Sequence, residues 1–219
     1  KCLDHFNGMF AFAIFDRKHK SLFLARDRFG IKPLYYYLDC ERLIFASEIP
    51  PILSVLKKPV IPDETSIFDY LMFNRTDHGD STFFNGIKKL QHGHYLEVSN
   101  NKVSINRWYS LRQKLSEPFS TPSEFNDTLS SAVSLRLRSD VPVGVCLSGG
   151  LDSSSIVSIL LNNYHKKDLN TFSAVFPSSE TINEFNYINE YNSEISNMHF
   201  TEPTGETLYN DFDSFLRAQ

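Results

Sequence analysis

The chain has 219 residues, 41% of them hydrophobic and 22% charged, an ordinary globular usage that excludes a disordered or low-complexity chain and corresponds to about one and a half domains. With 22 Lys and Arg against 26 Asp and Glu, the formal charge of −4 supplies no field that would gather nucleic acid or an anionic membrane surface. Cys2, Cys40 and Cys146 are an odd number without CxxC spacing, which fits neither a disulfide framework nor a zinc site and points to a reducing, cytoplasmic setting. No apolar run reaches membrane-span length, and the first residues lack the order of a signal peptide. The chain opens without Met, runs almost directly into a strand pattern and stops at Leu216-Arg-Ala-Gln219, so a fragment cut at both ends is expected.

In chain order, residues 9–15 are an apolar run with Phe10, Phe12 and Ile14 on one face and Met9, Ala11, Ala13 and Phe15 on the other, the pattern of a strand buried on both sides. The polar stretch 16–20 reverses the chain into a strand at 21–25. Tyr35-Tyr-Tyr37 and Leu43-Ile-Phe-Ala46 follow at hairpin spacing, which makes an antiparallel meander with its Phe-rich strands in the core. Helical stretches at 48–56 and 66–73 come before strands at 95–98 and 103–105, and this sheet-rich first domain covers 1–112. Residues 113–122 read as a linker, with few apolar anchors. Thr121-Pro-Ser-Glu124 is then a capping-box pattern, with Phe125, Leu129, Val133 and Leu137 at helical spacing behind it. A second domain, 123–219, opens with that helix. Its strand at 143–147, helix from about 153 to 164 and strand at 171–176 form a βαβ unit, which implies a parallel sheet.

The turn inside that unit, Leu147-Ser-Gly-Gly-Leu-Asp-Ser-Ser154, carries the chemistry. Gly149 and Gly150 lack Cβ, so either can take φ > 0 and let backbone N–H groups approach an oxyanion. The first N–H groups of the next helix add unpaired donors at the positive end of its dipole, and Ser148, Ser153 and Ser154 add hydroxyls. Asp152 is at odds with bound phosphate unless a hard cation lies between them. A Mg²⁺-bound polyphosphate is the ligand this combination selects. The competing reading, an empty strand-to-helix turn capped by Asp152 or Ser153, is disfavoured because ligands gather at the carboxyl ends of parallel strands. The loop is neither a Walker A loop nor GxGxxG.

Ser148-Gly-Gly-Leu-Asp-Ser-Ser154, after Ser139-Asp-Val-Pro-Val-Gly144, resembles the pyrophosphate loop of N-type ATP pyrophosphatases, and specifically that of glutamine-hydrolysing asparagine synthetases. Asn7-Gly-Met-Phe-Ala-Phe-Ala-Ile-Phe-Asp16, Ala25-Arg-Asp-Arg-Phe-Gly-Ile-Lys-Pro-Leu-Tyr-Tyr36, Phe45-Ala-Ser-Glu48, 90–95 and Arg107-Trp-Tyr109 are similar to the later half of that family's glutaminase domain. The resemblance implies an α+β N-terminal-nucleophile part, an αββα sandwich. An α/β parallel-sheet ATP pyrophosphatase part of the adenine nucleotide α-hydrolase type follows it. It implies conversion of aspartate, glutamine and ATP to asparagine, glutamate, AMP and pyrophosphate, through an aspartyl-adenylate that ammonia attacks. Ser148, Gly149, Gly150, Asp152, Ser153 and Ser154 would hold the ATP phosphates, with Asp152 taking Mg²⁺. Backbone groups of Cys146 and Leu147 match the adenine-side contacts, and Ala174 matches a nucleotide-touching strand residue.

The partners implied are these small molecules, with pairing through the glutaminase domain as in many members. The family's glutaminase nucleophile is an N-terminal Cys whose own amine is the base. Cys2 does not fit, because Lys1 precedes it, so the nucleophile is expected upstream and the aspartate pocket beyond Gln219. Two rivals remain: an enzyme adenylating another carboxylate, as β-lactam synthetases do, and a non-catalytic scaffold of the same fold. Three other features are read as structural: His92-Gly-His94 as a turn, Arg26, Asp27 and Lys32 as an ion-pair turn, and Met9 as a core methionine rather than a lining of the ammonia route.

Overall fold

The computed structural model describes residues 2–57, 59, 61–76, 78–100, 102–115, 118–176 and 184–218, which fall into two units, 1–117 and 118–219. In the first, α1 (Cys2–His5) precedes β1 (Ala11–Asp16) and β2 (Ser21–Arg26), an antiparallel pair with Phe12 opposite Ala25 and Ile14 opposite Phe23. β3 (Tyr35–Leu38) and β4 (Leu43–Ala46) form a hairpin, followed by α2 (Ile49–Leu56), α3 (Glu64–Phe73), β5 (Ile87–Lys89), β6 (His94–Ser99), β7 (Lys102–Arg107) and α4 (Leu111–Lys114). The strands make two antiparallel sheets, ordered β1-β2-β6-β7 and β4-β3-β5. One apolar cluster joins them, with Leu24 and Leu96 from the first sheet and Tyr36 from the second. Each fully buried leucine contributes about 1.5–3 kcal/mol, which is what fixes the register of both sheets. α2 packs on β3 and β4 and buries Ile52 completely.

Local chemistry sets the ends of these elements. α3 starts at Glu64, ahead of the expected 66, because the Asp63 side chain accepts from Ser66 N–H at 2.8 Å as its N-cap. The expectation for 9–15 needs correction. Met9, Ile14 and Phe15 are 54%, 55% and 59% exposed, so β1 is not buried on both faces and Met9 is not a core methionine. The reason is position: β1 is the edge strand of its sheet. Phe12, on the same face as Ile14, joins an aromatic row through Phe6, Phe10, Phe23 and Tyr95, at centroid spacings of 5.2 to 6.2 Å. Phe6 is exposed and the other four rings are partly buried, so none of this aromatic row belongs to the fully buried core.

The charged turn after β2 is held through the backbone. Asp27, 1% exposed, accepts from the N–H groups of Phe10, Phe29, Ile31 and Lys32 at 2.9 to 3.2 Å. Arg26 donates to the carbonyls of Gly30, Lys32 and Leu90, while Lys32 is exposed. Burial pushes the Asp27 carboxyl up, but the four N–H bonds together outweigh it and leave the group below the ordinary carboxylate value. Of the expected linker, 113 and 114 lie in α4, 122 begins the next helix, and 116 and 117 lie outside the described residues.

The second unit contains α5 (Pro122–Arg136), β8 (Gly144–Cys146), α6 (Leu151–Tyr164), β9 (Asn170–Ala174), α7 (Phe185–Asn189), a 3-10 turn (Glu190–Ser193), β10 (Asn197–Thr201) and α8 (Gly205–Ala218). Thr121 Oγ1 caps Glu124 N–H, and Glu124 reaches back to Ser120 N–H, so the capping box forms one residue displaced on its return arm. β8, β9 and β10 are parallel neighbours in chain order, as the βαβ pattern requires. One face buries Leu147, Thr171, Ser173 and Val175, and Leu147 and Val175 join Val157, Leu160 and Leu161 of α6 in the core cluster. On the other face Cys146, Phe172 and Ala174 are exposed, and the Phe172 ring stacks on His199 at 4.9 Å. No helix among the described residues is long and apolar enough to cross a membrane.

Candidate functional site

The chain leaves β8 at Cys146 and enters α6 at Leu151, and every expected site residue except Ala174 lies on or beside this connection. Leu147 is pinned from both sides: its N–H donates to the Phe172 carbonyl at 2.9 Å, and its carbonyl accepts from Ser173 Oγ at 2.7 Å. In a parallel ladder successive residues bond to opposite sides, so pairing Leu147 with β9 turns the main-chain groups of Cys146 outwards, along the edge where β8 has no neighbour among the described residues. Cys146 is therefore placed to present main-chain groups to a ligand, whereas Leu147 is fully buried and already engaged. Ala174 stands exposed at the carboxyl end of β9, next to that anchor.

Only one of the two glycines uses left-handed backbone. Gly149 has φ +86°, and a Cβ there would come within 2.9 Å of both the Cβ and the carbonyl of Glu184. Gly150 is extended, with φ −71° and ψ 161°, and acts as the N-cap of α6. The helix thus starts at Leu151 instead of about 153, which moves Asp152 and Ser153 into its first turn. Ser154 N–H finds the Gly150 carbonyl at 3.0 Å, while the N–H groups of Leu151, Asp152 and Ser153 have no acceptor among the described residues. They are the unpaired donors of a helix N-terminus. Asp152 is exposed beside them, favourably placed in the helix dipole.

The serines hold the loop together. Ser153 Oγ accepts from Ser148 N–H at 3.2 Å and donates to the Gly150 carbonyl at 3.1 Å, while Ser148 Oγ accepts from Gly150 N–H at 3.3 Å. The two hydroxyls lie 3.1 Å apart. The donor set fits a polyphosphate: three N–H groups without an acceptor among the described residues stand at the start of α6, beside the Ser148 and Ser153 hydroxyls. It also fits Mg²⁺ bound through phosphate, which asks one or two carboxylates of the protein, and Asp152 would be the one. Bound Mg²⁺ supplies charge neutralisation of the phosphate oxygens.

Sequence reasoning missed Ser173, which ties β9 to the loop, and Tyr191, whose hydroxyl donates to the Ser154 carbonyl at 3.2 Å. Ser173 left a signal, a polar residue on the buried face of an apolar strand. Tyr191 left none. Elsewhere, a cavity of about 500 Å³ in the first unit is lined by residues including Asp63, Asp69, Arg75, His78 and Lys89, with His78 Nε2 3.0 Å from Asp69 Oδ2. None of the expected site residues lines it. His92-Gly-His94 is a tight turn, since Gly93 has φ +64° and its N–H donates to the Asp27 carbonyl. No group of three metal-ligating side chains occurs among the described residues. Cys2 is exposed on α1.

Residues 1–109 match the family model of the glutamine amidotransferase domain, and residues 124–218 match that of asparagine synthase. Glutamine-hydrolysing asparagine synthetase 3 of Bacillus subtilis (strain 168) is 34% identical over 184 residues, 82% of this chain and 30% of that protein. A putative glutamine-hydrolysing asparagine synthetase of Methanocaldococcus jannaschii is 36% identical over 183 residues, 80% of this chain and 35% of that protein. A Gibberella zeae protein named amidase chry2 is 33% identical over 169 residues, 72% of this chain and 24% of that protein. The chain spans about a third or less of the length of these curated relatives.

Proposed function

We propose that this chain, a glutamine amidotransferase region followed by an asparagine synthase region as in the glutamine-hydrolysing asparagine synthetases, serves the ATP-dependent synthesis of asparagine. The reading is carried by one observation: three unpaired N–H groups of α6 and an exposed Asp152 meet at the carboxyl end of a parallel strand. The ATP phosphates bind to the N–H groups of 151–153 and to the hydroxyls of Ser148 and Ser153. Asp152 takes the Mg²⁺ that accompanies them. Main-chain groups of Cys146 and the exposed Ala174 position flank the nucleotide. An aspartate carboxylate oxygen attacks the α-phosphorus, pyrophosphate leaves, and ammonia from glutamine then attacks the acyl carbon and expels AMP. Fixed donors facing the departing pyrophosphate favour that charge without reorganising.

We assign neither the glutaminase nucleophile nor the aspartate pocket to any residue of these 219. Cys2 is not the nucleophile, because its amine is in a peptide bond with Lys1 and cannot act as the base. The test is a product assay on the intact protein with glutamine, aspartate and MgATP. Pyrophosphate and asparagine formed only when aspartate is present are the expected result. Pyrophosphate that depends on a different carboxylic acid would overturn the choice of aspartate, and none with any acceptor would overturn the reaction.

A further inference from the structure

The segment 184–193 lies outside the loop motif, yet it grips the loop at two places. Below Gly149, the Cβ and carbonyl oxygen of Glu184 lie 2.9 Å, and Ile188 Cγ1 lies 3.4 Å, from where a Gly149 Cβ would be. Ile188 is 1% exposed and belongs to the core cluster with Leu147, at the end of β8's run into the loop, and Val157 of α6. Beyond the loop, Tyr191 holds the first turns of α6, its hydroxyl donating to the Ser154 carbonyl at 3.2 Å and lying 3.1 Å from Ser158 Oγ. One contact is packing and the other is a hydrogen bond. Both come from a single continuous piece, α7 and the 3-10 turn after it.

We infer that this segment is the positioning element of the nucleotide loop, with Ile188 and Tyr191 as its positioning residues. The inference rests on the nucleotide reading of the loop and adds the support that reading lacks. Gly149 is in left-handed backbone and has no side chain to anchor it, so its φ is fixed by what lies against it. Packed contacts transmit small displacements because interiors have no slack. Shortening Ile188 by its Cδ1 methyl keeps Cγ1 but loosens the packing that holds Cγ1 beneath Gly149, and so lets the N–H groups of 149–153 drift. Tyr191 limits the same drift from the α6 side.

The experiment compares two equal substitutions in one core. Ile188→Val and Ile195→Val each remove a methylene from the buried cluster, but Ile195 is not among the nearest neighbours of Gly149. MgATP binding to this chain is measured by calorimetry, and thermal unfolding is followed alongside. The expected result is a similar loss of stability in both, with MgATP affinity reduced roughly fivefold in Ile188→Val and unchanged in Ile195→Val, the scale of coupling carried through packed contacts. Tyr191→Phe, which keeps the ring and removes the hydroxyl, is expected to weaken MgATP by a similar factor. Equal affinities for Ile188→Val, Tyr191→Phe and the unsubstituted chain would overturn the positioning role while leaving the nucleotide reading intact. Failure of the unsubstituted chain to bind MgATP would overturn that reading and this inference with it.

Discussion

Two hydroxyls on one strand show how the same residue class can serve the site or work against the fold. Thr171 and Ser173 are 0% and 4% exposed on the inner face of β9. Ser173 Oγ donates to the Leu147 carbonyl, whereas Thr171 Oγ1 has no hydrogen-bond partner among the described residues. An unsatisfied buried hydroxyl costs about 1–3 kcal/mol relative to an apolar group of its shape. Thr171→Val is therefore expected to raise stability by about 1 kcal/mol and Ser173→Ala to lower it, both read by urea unfolding. Destabilisation by Thr171→Val would show that the hydroxyl has a partner after all. The sequence displayed both residues as polar interruptions of an apolar strand. It could not separate them, because the deciding carbonyl belongs to Leu147, just after β8, brought alongside only by the parallel register.

Among the elements, those whose determinants are local were legible. Thr121 and Glu124 announce α5, and the apolar strand, Gly-Gly turn and helix announce β8 and α6. The start of α6 was misread by two residues because Gly150, with no side chain to cap anything, is nonetheless the N-cap. β1 was misread because alternation reports which residues share a face, not whether that face is enclosed. The turn after β2 carries the clearest element-scale prediction. The Asp27 carboxyl titrates below its unfolded value of about 3.9, so its contribution to stability is present above that pH and is lost as pH falls through the folded value. Unfolding midpoints measured from pH 6 to pH 2 are expected to fall in that window. Asp27→Asn is expected to be less stable by about 1–3 kcal/mol at pH 7 and to show a flatter acid limb. An unchanged acid limb in that variant would place the pH dependence elsewhere.

At the scale of the molecule, the two units carry matches to two different families, and the proposed chemistry divides the same way. In the intact protein, Asp152→Asn is expected to lower aspartate-dependent pyrophosphate release by roughly 100-fold, the scale of losing one charge-stabilising group, while glutamine hydrolysis stays measurable. Parallel loss of both activities would refute that division. The loop itself was legible because Ser, Gly, Gly, Asp and Ser stand consecutively. Its support was not, because Ser173, Glu184, Ile188 and Tyr191 reach it from separate positions along the chain. The serine hydroxyls that close the loop on itself have one more implication. They act as an internal stand-in for the guest, occupying the amides of Ser148 and Gly150 with oxygens at 3.2 and 3.3 Å. On the proposed nucleotide reading, a phosphate oxygen that reached either amide would exchange one acceptor for another and add no bond. An anionic phosphate oxygen would displace a hydroxyl from such an amide by being the stronger acceptor.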